Sequence, residues 1–181
     1  MRKLVYHIAT SLDGYIAATD GSVERFLMQG PHADDFVASL TEYDTVIMGA
    51  RTYAFGFQFG LKAGQAAYPG LKHVIVSRSL KFTPSEEVAL LADDVPASIR
   101  RLKEQAGKPI WLCGGGVLAT LLAEHGLIDE LRLKVNPIVL GTGIPLFGTL
   151  ARPPLLQPSA PVKSYPNGVT LLSYRLDAGG S

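Results

Sequence analysis

The sequence predicts a single α/β domain with a mostly parallel central sheet, helices on both faces and an antiparallel hairpin at its carboxyl end. Apolar runs of strand length alternate with helical patterns, and several of these runs end in glycine-rich or hydroxyl-rich turns. Pro166-Asn167-Gly168 lies between two further strand patterns, residues 155–164 and 169–176, which is a hairpin signal. Strands that are joined through helices run parallel, so the turns are expected at one edge of the sheet.

Composition restricts the class of protein. The chain has 181 residues, enough for one domain over residues 1–177, and we expect residues 178–181 to form a disordered tail. Its formal charge is +1 with 18% charged residues, so neither nucleic acid nor an anionic membrane is an expected partner. No signal peptide is recognisable and no apolar stretch approaches the ~20 residues of a membrane span, which predicts a soluble cytoplasmic protein. No metal site is expected.

The first predicted strand, residues 4–9, leads into a loop. Thr10-Ser11-Leu12-Asp13-Gly14 contains an Asp-Gly turn signal, and residues 15–18 form a short apolar return. This loop is predicted to fold over the end of the strand, although an ordinary surface excursion is the alternative. A helix follows over residues 31–41, with Asp34 and Asp35 in its first turn, where they favour the helix dipole.

Two further strands end in groups that can hold a phosphate. Residues 44–48 lead into Gly49-Ala50-Arg51-Thr52, a turn that supplies backbone N–H groups, a guanidinium and a hydroxyl. Residues 71–76 lead into Ser77-Arg78-Ser79, a second set of donors. The sequence thus predicts phosphate-binding groups at the ends of two strands.

The triple glycine is the third such turn. Residues 109–113 form an apolar strand, Gly114, Gly115 and Gly116 a turn, and residues 117–124 a helix. Backbone without Cβ atoms permits close approach, and the positive end of the helix favours an anion. Tight packing of strand on helix is the other interpretation. The single cysteine, Cys113, cannot form an internal disulfide and is interpreted as a small core residue rather than a reactive thiol.

The remaining elements are predicted from periodicity. A short strand at residues 88–91 precedes a helix that Asp93-Asp94 caps and Gly107 ends, with Arg100, Arg101 and Lys103 on its solvated face. Residues 129–135 alternate apolar and charged side chains, the pattern of a half-exposed strand. Residues 55–70 and 138–147 are predicted to be loops, and His125 is interpreted as a residue at a helix end.

Several motifs in this order resemble the dihydrofolate reductase superfamily. They are Ser11-Leu12-Asp13-Gly14-Tyr15-Ile16, Met48-Gly49-Ala50-Arg51-Thr52, Val76-Ser77-Arg78-Ser79, Cys113-Gly114-Gly115-Gly116 and the run from Pro137 to Phe147. Within the superfamily, the chain is similar to stand-alone relatives of the reductase domain of the bifunctional riboflavin-pathway deaminase-reductase. The resemblance extends over essentially the whole chain and implies a dihydrofolate reductase-like fold.

The resemblance also implies a cofactor, NADPH, and positions for its parts. Ala9 and Ile16 would border the nicotinamide. The cofactor's phosphates would meet Gly49, Arg51 and Thr52, its 2′-phosphate would meet Ser77 and Arg78, and its pyrophosphate would lie in the cradle of Gly114, Gly115 and Gly116. Arginine in two of these segments, with no acidic residue beside it, favours a 2′-phosphate over a bare ribose. Relatives often carry arginine where this chain has Ala50.

Candidates for the catalytic group are Asp34 and Asp13. Dihydrofolate reductases use a carboxylate on the first helix, and counting back from Met48-Gly49 places it at Ala33, one residue before Asp34. A shift of one residue turns a helix by about 100 degrees. Asp13, with Ser11, could position substrate from the loop over the nicotinamide, or Asp13-Gly14 could be turn chemistry alone. Lys62 and Thr142 are further candidates for binding a ribose phosphate.

Three functions remain open on this basis. The first is NADPH-dependent reduction of a small heterocycle, most like 5-amino-6-(5-phosphoribosylamino)uracil, with the hydride supplied by the cofactor. Dihydrofolate reduction is the second, and the third is a non-catalytic NADPH-binding protein. A homodimer through the apolar surface of the strand at residues 131–135 and the terminal hairpin is a further expectation.

Overall fold

The computed structural model describes residues 1–177, so the predicted tail at 178–181 lies outside the described residues. A nine-stranded sheet forms the centre, in the order β10-β11-β7-β1-β6-β3-β4-β5, with β9 also paired to β11. The strands from β7 to β5 are parallel, and β11 is antiparallel to β7. The strands are β1 Leu4–Thr10, β2 Tyr15–Ala17, β3 Thr45–Gly49, β4 Lys72–Val76, β5 Val88–Leu91, β6 Ile110–Gly114, β7 Glu130–Val135, β8 Ile144–Pro145, β9 Leu155–Pro158, β10 Lys163–Ser164 and β11 Thr170–Asp177.

Helices cover both faces of this sheet, as predicted. They are α1 Pro31–Ser39, α2 Ala50–Phe55, α3 Val95–Glu104 and α4 Gly116–Glu124, with 3-10 turns at Leu40–Glu42 and Gly56–Phe59. Along β1 the side chains alternate: Leu4 and Tyr6 pack on one face with α3 and α4, and Val5 packs on the other with Trp111 and the α2 residue Tyr53. Each face therefore has its own apolar core.

Buried charges tie the amino ends of the strands together. Arg2 is buried, donates from Nε to the Lys108 carbonyl oxygen over 2.6 Å and from an Nη to Thr45 Oγ1 over 2.9 Å, and forms an ion pair with Asp44. Asp44 also accepts a hydrogen bond from the Lys108 backbone N–H over 2.8 Å. Because every charge in this group has a partner, its burial is compensated.

Lys103 does not lie on a solvated face of α3, and that prediction is wrong. The side chain is buried, its Nζ lies 2.6 Å from Asp129 Oδ2, and it donates to the Leu127 carbonyl oxygen over 2.7 Å. The predictions for the two ends of this helix are also wrong. α3 ends at Glu104 rather than Gly107, and Asp94 stands at its N-terminus in a left-handed conformation with no side-chain capping bond.

The predicted half-exposed strand, β7, is covered on both faces. It lies between β1 and β11, Glu130 is buried on one face and Leu131 on the other, and Lys134 is half-buried. The predicted hairpin is present, but its first arm is divided into β9 and β10, which both pair with β11. Since β7 is internal, the expectation of a dimer now rests on the hairpin, where Leu155 and Leu156 are exposed.

No helix within residues 1–177 combines the length and the apolar character that crossing a membrane requires.

Candidate cofactor and substrate site

The carboxyl ends of the parallel strands carry a small second sheet. β2 pairs with β8, and the Leu146 N–H donates to the Gly14 carbonyl oxygen over 2.9 Å. The Leu12 N–H donates to the Ile138 carbonyl oxygen over 2.8 Å. The loop after β1 is therefore folded back over the strand end as predicted, and part of the predicted loop 138–147 is its partner. Ile16 lies in this layer, and Ala9 is the last residue but one of the strand beneath it.

Gly49, Thr52, Gly114 and Gly115 come together at this edge. A Cβ atom placed on Gly49 would lie 3.7 Å from both the Gly114 carbonyl oxygen and the Gly115 nitrogen, and one placed on Gly115 would lie 3.3 Å from Thr52 Oγ1. The next residue begins α4, whose N-terminus has no side-chain capping bond. Backbone N–H groups at a helix start, beside glycines and a hydroxyl, fit a phosphate.

The prediction that Gly116 forms part of the pyrophosphate cradle is wrong. A Cβ atom on this residue would lie 2.3 Å from the Pro145 carbonyl oxygen, so its open side is already occupied by β8. Tight packing, the alternative interpretation of the triple glycine, therefore explains the third glycine. The first two remain beside Thr52.

The two predicted arginines are available to a ligand. Arg51 and Arg78 are both exposed, and within residues 1–177 neither forms an ion pair or a side-chain hydrogen bond. Arg78 follows the end of β4 with no acidic residue beside it. A guanidinium in this state can take a phosphate in bidentate fashion.

Ser77, in contrast, is not presented to a ligand. It is buried, and its Oγ accepts hydrogen bonds from the backbone N–H groups of Ser79, over 3.1 Å, and Leu80, over 2.9 Å. This hydroxyl shapes the turn that carries Arg78. Ser77 thus supports the turn that carries Arg78, in place of the predicted contact with the 2′-phosphate.

The Asp13 side chain joins two loops. Its carboxylate accepts hydrogen bonds from the backbone N–H groups of Leu140, over 3.1 Å, and Gly141, over 2.7 Å. The neighbouring Ser11 hydroxyl, followed by these N–H groups, lowers the pKa of the carboxyl to about 2. These bonds agree with the alternative that Asp13-Gly14 is turn chemistry, and a role of Asp13 in positioning substrate stays a prediction.

Asp34 is not brought to the site. The residue is exposed, and within the described part of the chain its side chain makes no hydrogen bond or ion pair. Two residues later on α1, Phe36 packs toward the sheet. Two residues correspond to about 200 degrees around a helix, so Asp34 lies on the far side. Ala33, the position expected from the resemblance, carries no acid.

Sequence reasoning missed the residues on the face of the sheet beneath α1. The Phe36 ring lies edge-on to Trp111, with 5.5 Å between ring centroids, and to His7, at 5.0 Å. Tyr68 lies edge-on to Trp111 at 4.7 Å. Burial, followed by the cations of Lys134 and Arg132, lowers the pKa of His7 to about 3, so the ring is neutral. Trp111, opposite Val5, and His7 are buried, whereas Phe36 and Tyr68 are half-buried, so only the last two can offer an apolar surface.

Lys134 and Cys113 complete this face. The Lys134 Nζ lies 3.5 Å from the centroid of the Phe36 ring, and burial lowers its pKa to about 8. Cys113 is half-buried and burial raises the pKa of its thiol to about 12, in agreement with a packed, unreactive cysteine. In the sequence, the charged residues of β7 predict a strand face that is exposed to solvent. They are covered by a helix, and no local pattern in the sequence indicates that contact.

Known proteins resemble this chain in sequence and in fold. The family model described as RibD C-terminal domain matches residues 2–170. The uncharacterized protein YwjB of Bacillus subtilis is 35% identical over 155 residues, which cover 82% of this chain and 84% of that protein. Among solved structures, a putative riboflavin biosynthesis protein from Shewanella sp. PV-4 is similar, with a TM-score of 0.76, 26% identity and coverage of 98% of this chain and 99% of that one.

The fold is of the dihydrofolate reductase type. The structure of dihydrofolate reductase from Enterococcus faecalis, complexed with NADP(H) and RAB-propyl, aligns with a TM-score of 0.63 at 12% identity, over 97% of this chain and 96% of the other. At that identity the likeness extends to the fold alone. It confirms the mixed sheet with helices on both faces.

Proposed function

The chain belongs to the RibD C-terminal domain family, and we propose that it is an NADPH-dependent reductase that transfers hydride to a small heterocycle of the aminouracil type. The family match and the likeness to a putative riboflavin biosynthesis protein support a reductase of the riboflavin-pathway type. The proposed substrate class is that of 5-amino-6-(5-phosphoribosylamino)uracil.

The observation that carries the proposal is the convergence of phosphate-binding groups at one edge of the sheet. Gly49, Thr52, Gly114 and Gly115 lie together at the uncapped start of α4, and Arg78 stands unpaired, among described residues, at the end of β4. The first group suits a pyrophosphate and the second suits a 2′-phosphate. No acidic residue replaces Arg78 to hold a bare ribose, which supports NADPH over NADH.

When bound, NADPH supplies the hydride, and the protein supplies position and electrostatics. The Ala9 methyl group leaves room for a flat ring at the end of β1, and the layer formed by β2 and β8 covers that end from the solvent side. The half-buried ring of Phe36, which packs against the buried Trp111, offers a planar substrate an apolar surface. These residues orient the reacting ring and exclude water from it.

Dihydrofolate is a weaker substrate candidate. Recognition of a pterin through a carboxylate needs an acid on the inner side of α1, and Asp34 lies on the outer side. A non-catalytic NADPH-binding protein keeps the same cofactor groups, so turnover on a panel of heterocycles separates it from the reductase.

The test is a titration with NADPH and with NADH, followed by the fluorescence of Trp111, the single tryptophan, which is buried beside Phe36. Loss of a charge-assisted hydrogen bond costs about 1.5–3 kcal/mol, so Arg78→Ala should weaken NADPH binding roughly 10- to 100-fold. NADH, which lacks the 2′-phosphate, should be little affected. Arg100→Ala, at an exposed position on α3, is the matched control. Equal loss for both nucleotides, or no binding of either to the wild type, would contradict the proposal.

A further inference from the structure

Lys134 is a cation with an open hydrogen-bonding capacity at the proposed substrate end. It pairs in register with Ala9, the residue expected to border the nicotinamide. Its Nζ rests on the Phe36 ring, and no acceptor or carboxylate within residues 1–177 is bonded to it. An ammonium has three N–H donors, and contact with a ring face leaves donors available.

The acids on the same face of β7 are already engaged. Arg132, two residues before Lys134, lies 2.8 Å from Glu42 and 3.5 Å from Glu130. Glu130 also pairs with Lys3 over 2.6 Å. At its carboxyl end this surface therefore presents a hydrogen-bond donor, the Lys134 ammonium, beside aromatic rings. Among the residues described, no carboxylate accompanies it.

From this arrangement we propose that Lys134 donates a hydrogen bond to a carbonyl oxygen of a planar, uracil-type ring and thereby selects such rings over amidine-bearing ones. The inference rests on the proposed function and names the group that recognises its substrate. Ala9 carries only a methyl group, so a ring can lie beside the ammonium above the end of β1. The half-buried rings of Phe36 and Tyr68, which both pack against the buried Trp111, provide apolar contact for that ring.

The selectivity follows from charge and hydrogen bonding. A uracil ring has two carbonyl acceptors, one of which can accept from Lys134. The amidine of a 2,4-diaminopyrimidine presents N–H donors, which require an acceptor such as a carboxylate, and its protonated form is repelled by an ammonium. An unsatisfied donor pair therefore disfavours the second kind of ring.

Two small probes test the inference without cofactor or turnover, namely 5,6-diaminouracil and 2,4-diaminopyrimidine, titrated into the protein by calorimetry. We expect the wild type to prefer 5,6-diaminouracil and Lys134→Met to bind it roughly 10- to 100-fold more weakly, the range for one charged hydrogen bond. Lys134→Arg, which keeps a cationic donor, should restore part of the affinity. Lys72→Met, at an exposed lysine near the amino ends of the strands, is the matched control.

Folding is checked separately. Because burial already lowers the pKa of Lys134, replacing the ammonium with an apolar side chain should leave the thermal midpoint unchanged or raised. Equal binding of 5,6-diaminouracil by wild type and Lys134→Met overturns the inference. So does a wild type that prefers 2,4-diaminopyrimidine or binds neither probe. NADPH titration of the same variants is independent of these results, so failure of the cofactor proposal is distinguishable from failure at Lys134.

Discussion

The charged side chains at the two ends of the parallel strands differ in whether they have ionic partners within the described residues. At the amino ends, Arg2 is paired with Asp44 and Lys103 with Asp129, and the Asp129 carboxylate also accepts a hydrogen bond from the Leu4 N–H over 2.7 Å. At the carboxyl ends, the described residues provide no ionic partner for Arg51, Arg78 or Lys134. Charge that is paired inside the protein contributes to the fold, and charge that is not paired is available to a ligand.

This contrast indicates where binding takes place in the sheet. Backbone groups follow the same division as the side chains. The edge that holds the cations also holds Gly49, Gly114 and the uncapped start of α4. The carboxyl edge therefore carries the groups that we propose bind the cofactor, and the amino edge carries the groups that hold the strands together. Substitutions at the two ends should accordingly change different measurements.

The largest effect on stability is expected at the amino end. Arg2→Met removes two hydrogen bonds and an ion pair from a buried position. Asp44 is partly exposed and keeps its bond from Lys108, so we expect a loss of about 3 kcal/mol, the low end for breaking a buried pair. Urea unfolding measures it, with Arg100→Met as control. NADPH affinity should stay at the wild-type value in the folded variant. A stable Arg2→Met protein with impaired cofactor binding would reverse the assignment of the two ends.

A smaller loss is expected at Gly116, a packed glycine at the carboxyl end. Gly116→Ala places a Cβ atom against the Pro145 backbone, which cannot move as a flexible side chain could. The free energy of unfolding should fall by about 2 kcal/mol, within the range for overpacking. Gly148→Ala, whose Cβ atom would lie 3.4 Å from Thr120 Oγ1 in ordinary contact, is the control. Equal stability of the two variants would show that β8 does not lie against α4.

The smallest of these effects concerns His7, which lies between the two ends. Its pKa is about 3 in the folded protein against the ordinary 6.5 of histidine, so the unfolded state binds more protons between these values. Stability is therefore full above pH 6.5 and is lost as the pH falls toward 3. From pH 7 to 5.5 the loss from this group should be about 1 kcal/mol. Unfolding of His7→Gln should lack this part of the pH dependence, with His125→Gln as the matched control. A wild-type slope in His7→Gln would show that His7 is not the group responsible.

The sequence was sufficient for the central strands and for the glycine turns that follow them, whereas the cofactor contacts of those turns stay predictions. Apolar runs of the right length predicted β1, β3, β4 and β6, and glycine after a strand marks a turn whose function depends on local backbone. Gly49, Gly114 and Gly115 could be found for this reason. Arg78 was found because its segment follows directly from a strand.

Contacts between distant segments could not be predicted in this way. Lys103 reads as a solvated residue on its own helix, and its partners come from residues 127 and 129. Lys134 reads as a solvent-facing residue of an alternating strand, because no local pattern shows that Phe36 covers it. Counting along the chain gave Ala33 and missed Asp34 by one residue, and which of the two faces the sheet depends on how α1 is rotated against it.

The most direct test of the account is to map which backbone amides respond when NADPH is added to isotopically labelled protein. We expect the largest chemical-shift changes at Gly49, Thr52, Gly114, Gly115 and Arg78, at the carboxyl ends of the strands. Amides near Arg2 and Lys103 should not move. Changes concentrated at the amino ends, or no changes at saturating NADPH, would contradict the claim that the carboxyl edge of this sheet is a cofactor site.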